Sequence, residues 1–185
     1  MTYVVLIRGV NVGGKNKISM AELKMRLEDE GCSNVRTYIQ SGNVILQSAL
    51  DAKTLGHQIE TTLSGKFTLD SPVIKVLVLS RNQLQGVIDN KPEGFGEEPE
   101  KYHSDVIFLI GIDSAQAMPV FDPREGVDKV WPDDCVIYSQ RLSSRRTESR
   151  LSKIVGTPVY KSTTTRNWTT TTKLLRMLEE IDPRS

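Results

Sequence analysis

The sequence has few of the residues that most often carry covalent catalysis or bind transition metals. Its 185 residues include two histidines and two cysteines, and neither cysteine has a histidine near it in sequence. His57 falls inside a predicted helix and His103 in a predicted loop, while Asp113, Asp133 and Asp134 are turn carboxylates of the kind that is usually solvated. We therefore predict no cysteine–histidine pair and no metal site, and we assign no cofactor and no catalytic residue.

Long apolar runs are also lacking. The longest, residues 106–110, is far shorter than the roughly 20 residues that cross a bilayer. The first residues have neither the basic region nor the small cleavage-site residues of a secretory signal. Cys32 and Cys135 fit a reducing compartment, and we predict no disulfide between them. We therefore expect a cytoplasmic protein with no membrane partner.

No large net charge is present, since the formal value is +1, but two segments are strongly charged. Residues 141–176 contain nine lysines and arginines against Glu148 alone, and residues 89–134 contain twelve acidic residues against four basic ones. A basic segment favours a phosphate-bearing or otherwise anionic partner. The alternative is that both segments are solvated surfaces that keep the chain in solution.

The most distinctive segment is a glycine-rich basic loop, residues 8–17, between an apolar run and a helix start at Ser19. It contains the cations Arg8, Lys15 and Lys17 and no carboxylate. Glycines let backbone amides approach a ligand closely, and such amides together with cations favour an anion. The loop therefore predicts an anion-binding site, unless its glycines only permit a sharp chain reversal.

This loop also reproduces most of a Walker A phosphate-binding pattern, with Gly9, Gly14 and Lys15 at the matching positions. Position 16 is asparagine, which lacks the hydroxyl group that would hold magnesium. The predicted helix start also lies about three residues too far along the chain. We therefore expect a looser nest of backbone amides and not a true P-loop.

Hydrophobic periodicity predicts the order βαββαβ twice. In the first half we predict strands at 4–7, 35–39, 44–46 and 73–79, with helices from Ser19 to Gly31 and over 52–63. A further helix is predicted at 80–90, before the linker. The second half is predicted to have helices from Asp113 and at 147–155, strands at 106–110, 127–131, 136–138 and near Val159, and a closing helix at 168–181. The fold class is therefore α+β, with two ferredoxin-like halves, mainly antiparallel sheets and a C-terminal helix. The predicted domains are 1–90, an acidic linker at 91–103, and 104–185 with basic C-terminal helices.

In a ferredoxin-like half, the loop after the first strand and the turn joining the second and third strands emerge at the same edge of the sheet. Residues 9–17 and the Ser-Gly turn at 40–43 should therefore be neighbours. Elsewhere, a helix capped by Asn167 would direct free amides toward an anion, with Arg166 beside them. The candidate ligand-binding residues are Arg8, Asn11, Gly13, Gly14, Lys15, Lys17, Gln40, Ser41, Asn43, Arg166 and Asn167.

Three segments carry a resemblance to a known family: 6–15 (LIRGVNVGGK), 36–44 (RTYIQSGNV), and 165–168 (TRNW) followed by Thr-x-x-Lys-Leu at 170–174. With these motifs at both ends, the chain resembles the bacterial family called domain of unknown function 1697 over essentially its whole length. Residues 51–149 match only in pattern. The resemblance implies an α+β fold, and it implies no activity, substrate or catalytic residue.

Together these observations favour a protein that binds a small anionic or phosphorylated ligand at the edge formed by the loop and the turn. One alternative is an enzyme, a transferase or hydrolase, acting on a phosphorylated substrate at the same edge. Another is a nucleic-acid-binding or structural interaction module without catalysis. For nucleic acid, Arg141, Arg145, Arg146 and Arg150 supply charge, but only Tyr138 stands near them as a stacking surface.

Overall fold

The structure of the protein is a computed structural model in which residues 1–70 and 74–183 are described. The chain divides into two compact units, one formed by residues 1–86 together with the C-terminal residues from 173 onward, the other by residues 87–172. The segments predicted from sequence, 1–90, 91–103 and 104–185, therefore differ from these units at the C-terminal helix. The division into these domains stays a prediction. Within the described ranges, no helix combines the length and the apolar character that crossing a membrane requires.

The first unit has the element order βαββαβ and a four-stranded sheet. Its elements are β1 (Thr2–Ile7), α1 (Met20–Asp29), β2 (Ser33–Tyr38), β3 (Asn43–Gln47), α2 (Ala52–Lys66), β4 (Val76–Ser80) and the start of α3 (Arg81–Asp89). The strand order is β2-β3-β1-β4, and every neighbouring pair is antiparallel. The predicted ferredoxin-like topology is confirmed. Val73, where the fourth strand was predicted to begin, lies outside the described residues.

Caps and apolar spacing explain the two helices of this unit. The Ser19 hydroxyl accepts a 3.2 Å bond from the Glu22 amide at the start of α1, and the Asp51 carboxylate accepts from two amides at the start of α2. Each helix repeats apolar residues at intervals of three or four, so one face packs on the sheet. The buried residues of this face are Met20, Leu23, Leu27, Leu55, Ile59 and Leu63, and they pack against Tyr3, Val5 and Ile7 of β1.

The second unit repeats the sheet topology of the first. Its elements are β5 (Tyr102–Leu109), α4 (Ser114–Ala117), β6 (Asp128–Pro132), β7 (Val136–Leu142), β8 (Thr163–Asn167) and the start of α5 (Trp168–Ile181). The strand order is β6-β7-β5-β8, again with antiparallel neighbours. The α+β fold with two similar antiparallel halves and a C-terminal helix is therefore confirmed.

The helix predicted at 147–155 is wrong. Two 3-10 segments, Ser143–Glu148 and Leu151–Gly156, occupy this part of the chain. Serine side chains compete for backbone groups, as where the Ser149 hydroxyl accepts a 3.3 Å bond from the Leu151 amide. Only Ile154 of the second segment is buried, so packing does not impose a longer α-helix.

The strand predicted near Val159 is also wrong. Residues Pro158–Ser162 form a 3-10 segment, and the fourth strand is β8, which pairs with β5 from Asp105 opposite Asn167 to Leu109 opposite Thr163. The β-branched threonines of β8 suit a pleated strand, and this explains why the strand lies beyond the position predicted for it.

The segment predicted as an acidic linker contains a buried aromatic residue. The ring of Phe95 is fully buried, and its centroid lies 5.2 Å from that of Tyr138, 5.3 Å from that of Trp168 and 6.1 Å from that of Trp131. All three contacts are edge-to-face, a favourable geometry for aromatic pairs. Part of the predicted linker therefore belongs to the core of the second unit.

Candidate functional site

The glycine-rich loop folds as a small β-hairpin. The Lys15 amide donates a 3.1 Å bond to the Val12 carbonyl, and the Asn11 amide donates a 3.1 Å bond to the Asn16 carbonyl. Gly13 and Gly14 have φ values of +59° and +77°, so they form the two-residue type I′ turn at the tip. This turn leaves the amides of both glycines without a bond inside the hairpin, and both residues are exposed.

The side chain of Asn11 joins the hairpin to the turn at 40–43. Its Nδ2 donates to the Gln40 carbonyl at 2.8 Å and to the Ile18 carbonyl at 3.1 Å, and its Oδ1 accepts from the Ile18 amide at 2.9 Å. The Ile7 amide also donates to the Gly42 carbonyl at 2.8 Å. The predicted proximity of loop and turn is therefore confirmed.

The base of the hairpin depends on a carboxylate that the sequence analysis missed. Asp70 Oδ2 accepts a 2.6 Å bond from the Asn16 amide, and Asn16 Oδ1 accepts a 2.9 Å bond from the Asp70 amide. Asn16 Nδ2 also donates to the Gly9 carbonyl at 3.0 Å. Asp70 is 54 positions from Asn16, and no local pattern in the sequence connects them.

In the turn, the side chain of Asn43 bonds to other residues of the protein. This residue is fully buried, and its Nδ2 donates to the Tyr38 carbonyl and to the Ser41 hydroxyl, both at 3.1 Å. The amides of Asn11 and Asn43 therefore hold the backbone of loop and turn in place. Their direct contact with a ligand stays a prediction.

The cations of the hairpin differ in exposure. Lys15 and Lys17 are exposed, and neither takes part in an ion pair of the described residues. Arg8 is half-buried, and its backbone amide donates to the Lys75 carbonyl at 2.9 Å. The exposed residues of this segment thus combine two glycines, whose amides are not bonded inside the hairpin, with Lys15 and Lys17, a composition that attracts an anion.

Two exposed apolar residues, also missed by the sequence analysis, border this edge. Val12 in the hairpin is 59% exposed, and Ile39 beside the turn is 51% exposed. Ile39 has a φ of +49°, in the left-handed region that β-branched residues rarely adopt. Nothing in the local sequence predicts that conformation.

Arg166 and Asn167 lie in the second unit, whereas all the other predicted site residues lie in the first. The guanidinium of Arg166 is buried and donates to the Thr164 hydroxyl at 2.9 Å and to the Thr165 carbonyl at 2.8 Å. Burial lowers the pKa of Arg166 to about 10, so the group stays charged at neutral pH. Asn167 Oδ1 accepts a 2.7 Å bond from the Thr170 amide, which confirms the predicted helix cap.

A histidine–aspartate pair lies elsewhere in the second unit. His103 Nε2 is 3.1 Å from Asp105 Oδ1. Burial raises the pKa of Asp105, and electrostatic interactions with His103 and Arg141 oppose that shift. Asp113 accepts a 2.8 Å bond from the Gln116 amide and caps α4. In the described residues, no three histidine, cysteine or acidic side chains form a group able to hold a metal ion.

Comparisons with known proteins agree with this fold. A family model described as protein of unknown function (DUF1697) matches residues 1–138. Among solved structures, the chain is similar to the conserved bacterial protein SP0830 from Streptococcus pneumoniae, with a TM-score of 0.77 and 26% sequence identity over 96% of this chain and 98% of that one. A search of curated proteins finds no match. The matched region includes the hairpin and the turn.

Proposed function

The chain belongs to the DUF1697 family of proteins of unknown function, and we propose that it binds a small phosphorylated ligand at the glycine-rich hairpin, residues 11–16. The proposal rests on the geometry of the tip. Gly13 and Gly14 are exposed there and their amides make no bond inside the turn, and the exposed Lys15 and Lys17 that follow them form no ion pair among the described residues.

Each of these groups has a distinct role toward a phosphate. Backbone amides donate hydrogen bonds to phosphate oxygens and need glycine for the oxygens to come close. Lysine ammonium groups contribute charge, and a hydrogen bond with a charged partner contributes about 1.5–3 kcal/mol. Two amides and two ammonium groups can therefore satisfy the oxygens of one phosphate group.

The hairpin is also held in place before any ligand arrives. Asn11 bonds to the turn, and Asn16 bonds to Asp70 and Gly9. A preformed loop loses little conformational entropy when a ligand binds. Asn11, Asn16 and Asn43 therefore act in this proposal as residues that position the loop, while Gly13, Gly14, Lys15 and Lys17 contact the phosphate.

The test compares two double variants of equal charge change. Lys15→Ala with Lys17→Ala removes the proposed cations, and Lys53→Ala with Lys66→Ala removes two exposed lysines of α2 in the same unit. We expect saturable binding of inorganic phosphate and pyrophosphate by calorimetry, weakened at least about tenfold in the hairpin variant only. Both variants should unfold close to the wild-type temperature, because exposed lysines contribute little to stability.

Two results would overturn the proposal. One is equal affinity in both double variants, which would assign binding to net charge alone. The other is the absence of saturable binding of either anion at low salt, where attraction is least screened.

A further inference from the structure

Ile39 has an unusual backbone conformation for its residue type. In the described residues, the other non-glycine residues with positive φ are Asn11, Asn16 and Asn34. Asparagine tolerates the left-handed region because its short polar side chain bonds locally, whereas an isoleucine there crowds its own backbone. Asparagine or glycine at position 39 would relieve this strain.

The strain is not explained by packing inside the protein. Ile39 is 51% exposed, so about half of its surface contacts solvent and not the rest of the protein. A residue that is both strained and exposed lowers stability without a matching gain from burial. Strained residues of this kind cluster at ligand-binding sites, where the ligand contacts the strained residue.

A second exposed apolar residue lies in the hairpin that is joined to the turn beside Ile39. Val12 precedes the glycine tip, Ile39 precedes Gln40, and the Asn11–Gln40 hydrogen bond of 2.8 Å ties these two segments together. The hairpin edge therefore combines two exposed aliphatic side chains with the ammonium groups of Lys15 and Lys17.

We propose that Ile39 and Val12 contact a heterocyclic ring of the phosphorylated ligand, so that the site takes a nucleoside monophosphate. This inference rests on the proposed phosphate site. The cations match the charge of the phosphate, and two aliphatic side chains match the apolar face of a single ring. A lipid surface is the less suitable occupant, because stable membrane association requires a larger buried apolar area.

The test uses adenosine 5′-monophosphate, inorganic phosphate and two variants. Ile39→Asn removes the apolar side chain and relieves the strain. Met25→Gln removes another exposed apolar side chain, 58% exposed on α1 of the same unit, and is the matched control. We expect the nucleotide to bind more tightly than phosphate to the wild-type protein. Ile39→Asn should weaken nucleotide binding about fivefold and leave phosphate binding unchanged.

The unfolding temperature of Ile39→Asn distinguishes a ligand-contacting role of Ile39 from a structural role. Ile39→Asn should raise the unfolding temperature by about 2–4 °C, while Met25→Gln should change neither stability nor affinity. Loss of nucleotide affinity with stability unchanged or raised supports the proposal. Loss of stability in Ile39→Asn would assign the residue a structural role and overturn it.

Two further results would overturn the nucleotide proposal and leave the proposed phosphate site unaffected. One is phosphate binding as tight as nucleotide binding. The other is binding to phosphatidylserine vesicles that Ile39→Asn abolishes while nucleotide affinity stays the same, which would assign the apolar pair to a membrane surface. If neither phosphate nor the nucleotide binds, the proposed function fails as well.

Discussion

Replacing Gly42 with alanine is expected to disrupt the edge at which the glycine-rich hairpin meets the β2–β3 turn. Gly42 has a φ of +73°, and a Cβ built on it would lie 2.6 Å from Val10 Cγ2, 2.8 Å from the Ile7 carbonyl oxygen and 3.0 Å from Ile7 Cβ. The last two atoms belong to or adjoin the backbone of β1. They cannot move away without shifting that strand.

The magnitude follows from two separate costs. An alanine in the left-handed conformation costs about 1–2 kcal/mol, and forcing an extra methyl group into a packed site costs typically about 1–3 kcal/mol. Gly42→Ala should therefore lower the free energy of unfolding by about 2–5 kcal/mol. Gly14→Ala is the matched control, because Gly14 has a φ of +77° and nothing lies within 4 Å of a Cβ built on it.

Urea unfolding of the two variants measures the difference directly. Gly14→Ala should lose only the conformational part, about 1–2 kcal/mol. The steric part at Gly42 should add about 1–3 kcal/mol to that loss. Equal losses in the two variants would refute the reasoning, because they would show that Val10 and β1 accommodate the methyl group without cost.

Three further predictions concern the second unit. Gly96→Ala places a Cβ against the indole ring of Trp168, so it should destabilise this unit and shift tryptophan fluorescence. Unchanged emission and stability would contradict the packing. Burial raises the pKa of Asp105, so this carboxyl group ionises at a lower pH in the unfolded chain than in the folded protein. The free energy of unfolding of the wild-type protein therefore falls as pH rises from the ordinary carboxyl pKa to the raised pKa of Asp105. Asp105→Asn should accordingly raise the free energy of unfolding, relative to the wild-type protein, by more at about pH 7 than at about pH 3. A free-energy difference that does not change with pH would contradict this. Asn167→Ala removes the cap bond to the Thr170 amide and should cost about 0.5–2 kcal/mol in urea unfolding, whereas no loss would show that the cap does not stabilise α5.

Local signals in the sequence were sufficient for most elements of the first unit. The Ser19 cap and the spacing of Met20, Leu23 and Leu27 predict α1, and the structure places these residues as expected. The proximity of hairpin and turn followed from topology alone, because a split βαβ unit brings those connections to one edge of the sheet.

The errors arise where distant parts of the chain decide the local conformation. The threonines of β8 form a strand because β5 offers them an edge to pair with, and that edge is not visible in the local sequence. Likewise, Asp70 reaches the hairpin across 54 positions. Ile39 contradicts the preference of its residue type, so no propensity argument could place it in the left-handed region.

The most direct test of the proposed phosphate site follows the backbone amide resonances of Gly13 and Gly14 by NMR as inorganic phosphate is added. Both resonances should shift saturably with one dissociation constant, while the resonance of Gly65, an exposed glycine of α2, should not move. The Lys15→Ala, Lys17→Ala variant should require a higher phosphate concentration for the same shifts. Saturable shifts elsewhere in the chain, with Gly13 and Gly14 unmoved, would contradict the proposal that the hairpin tip binds the anion.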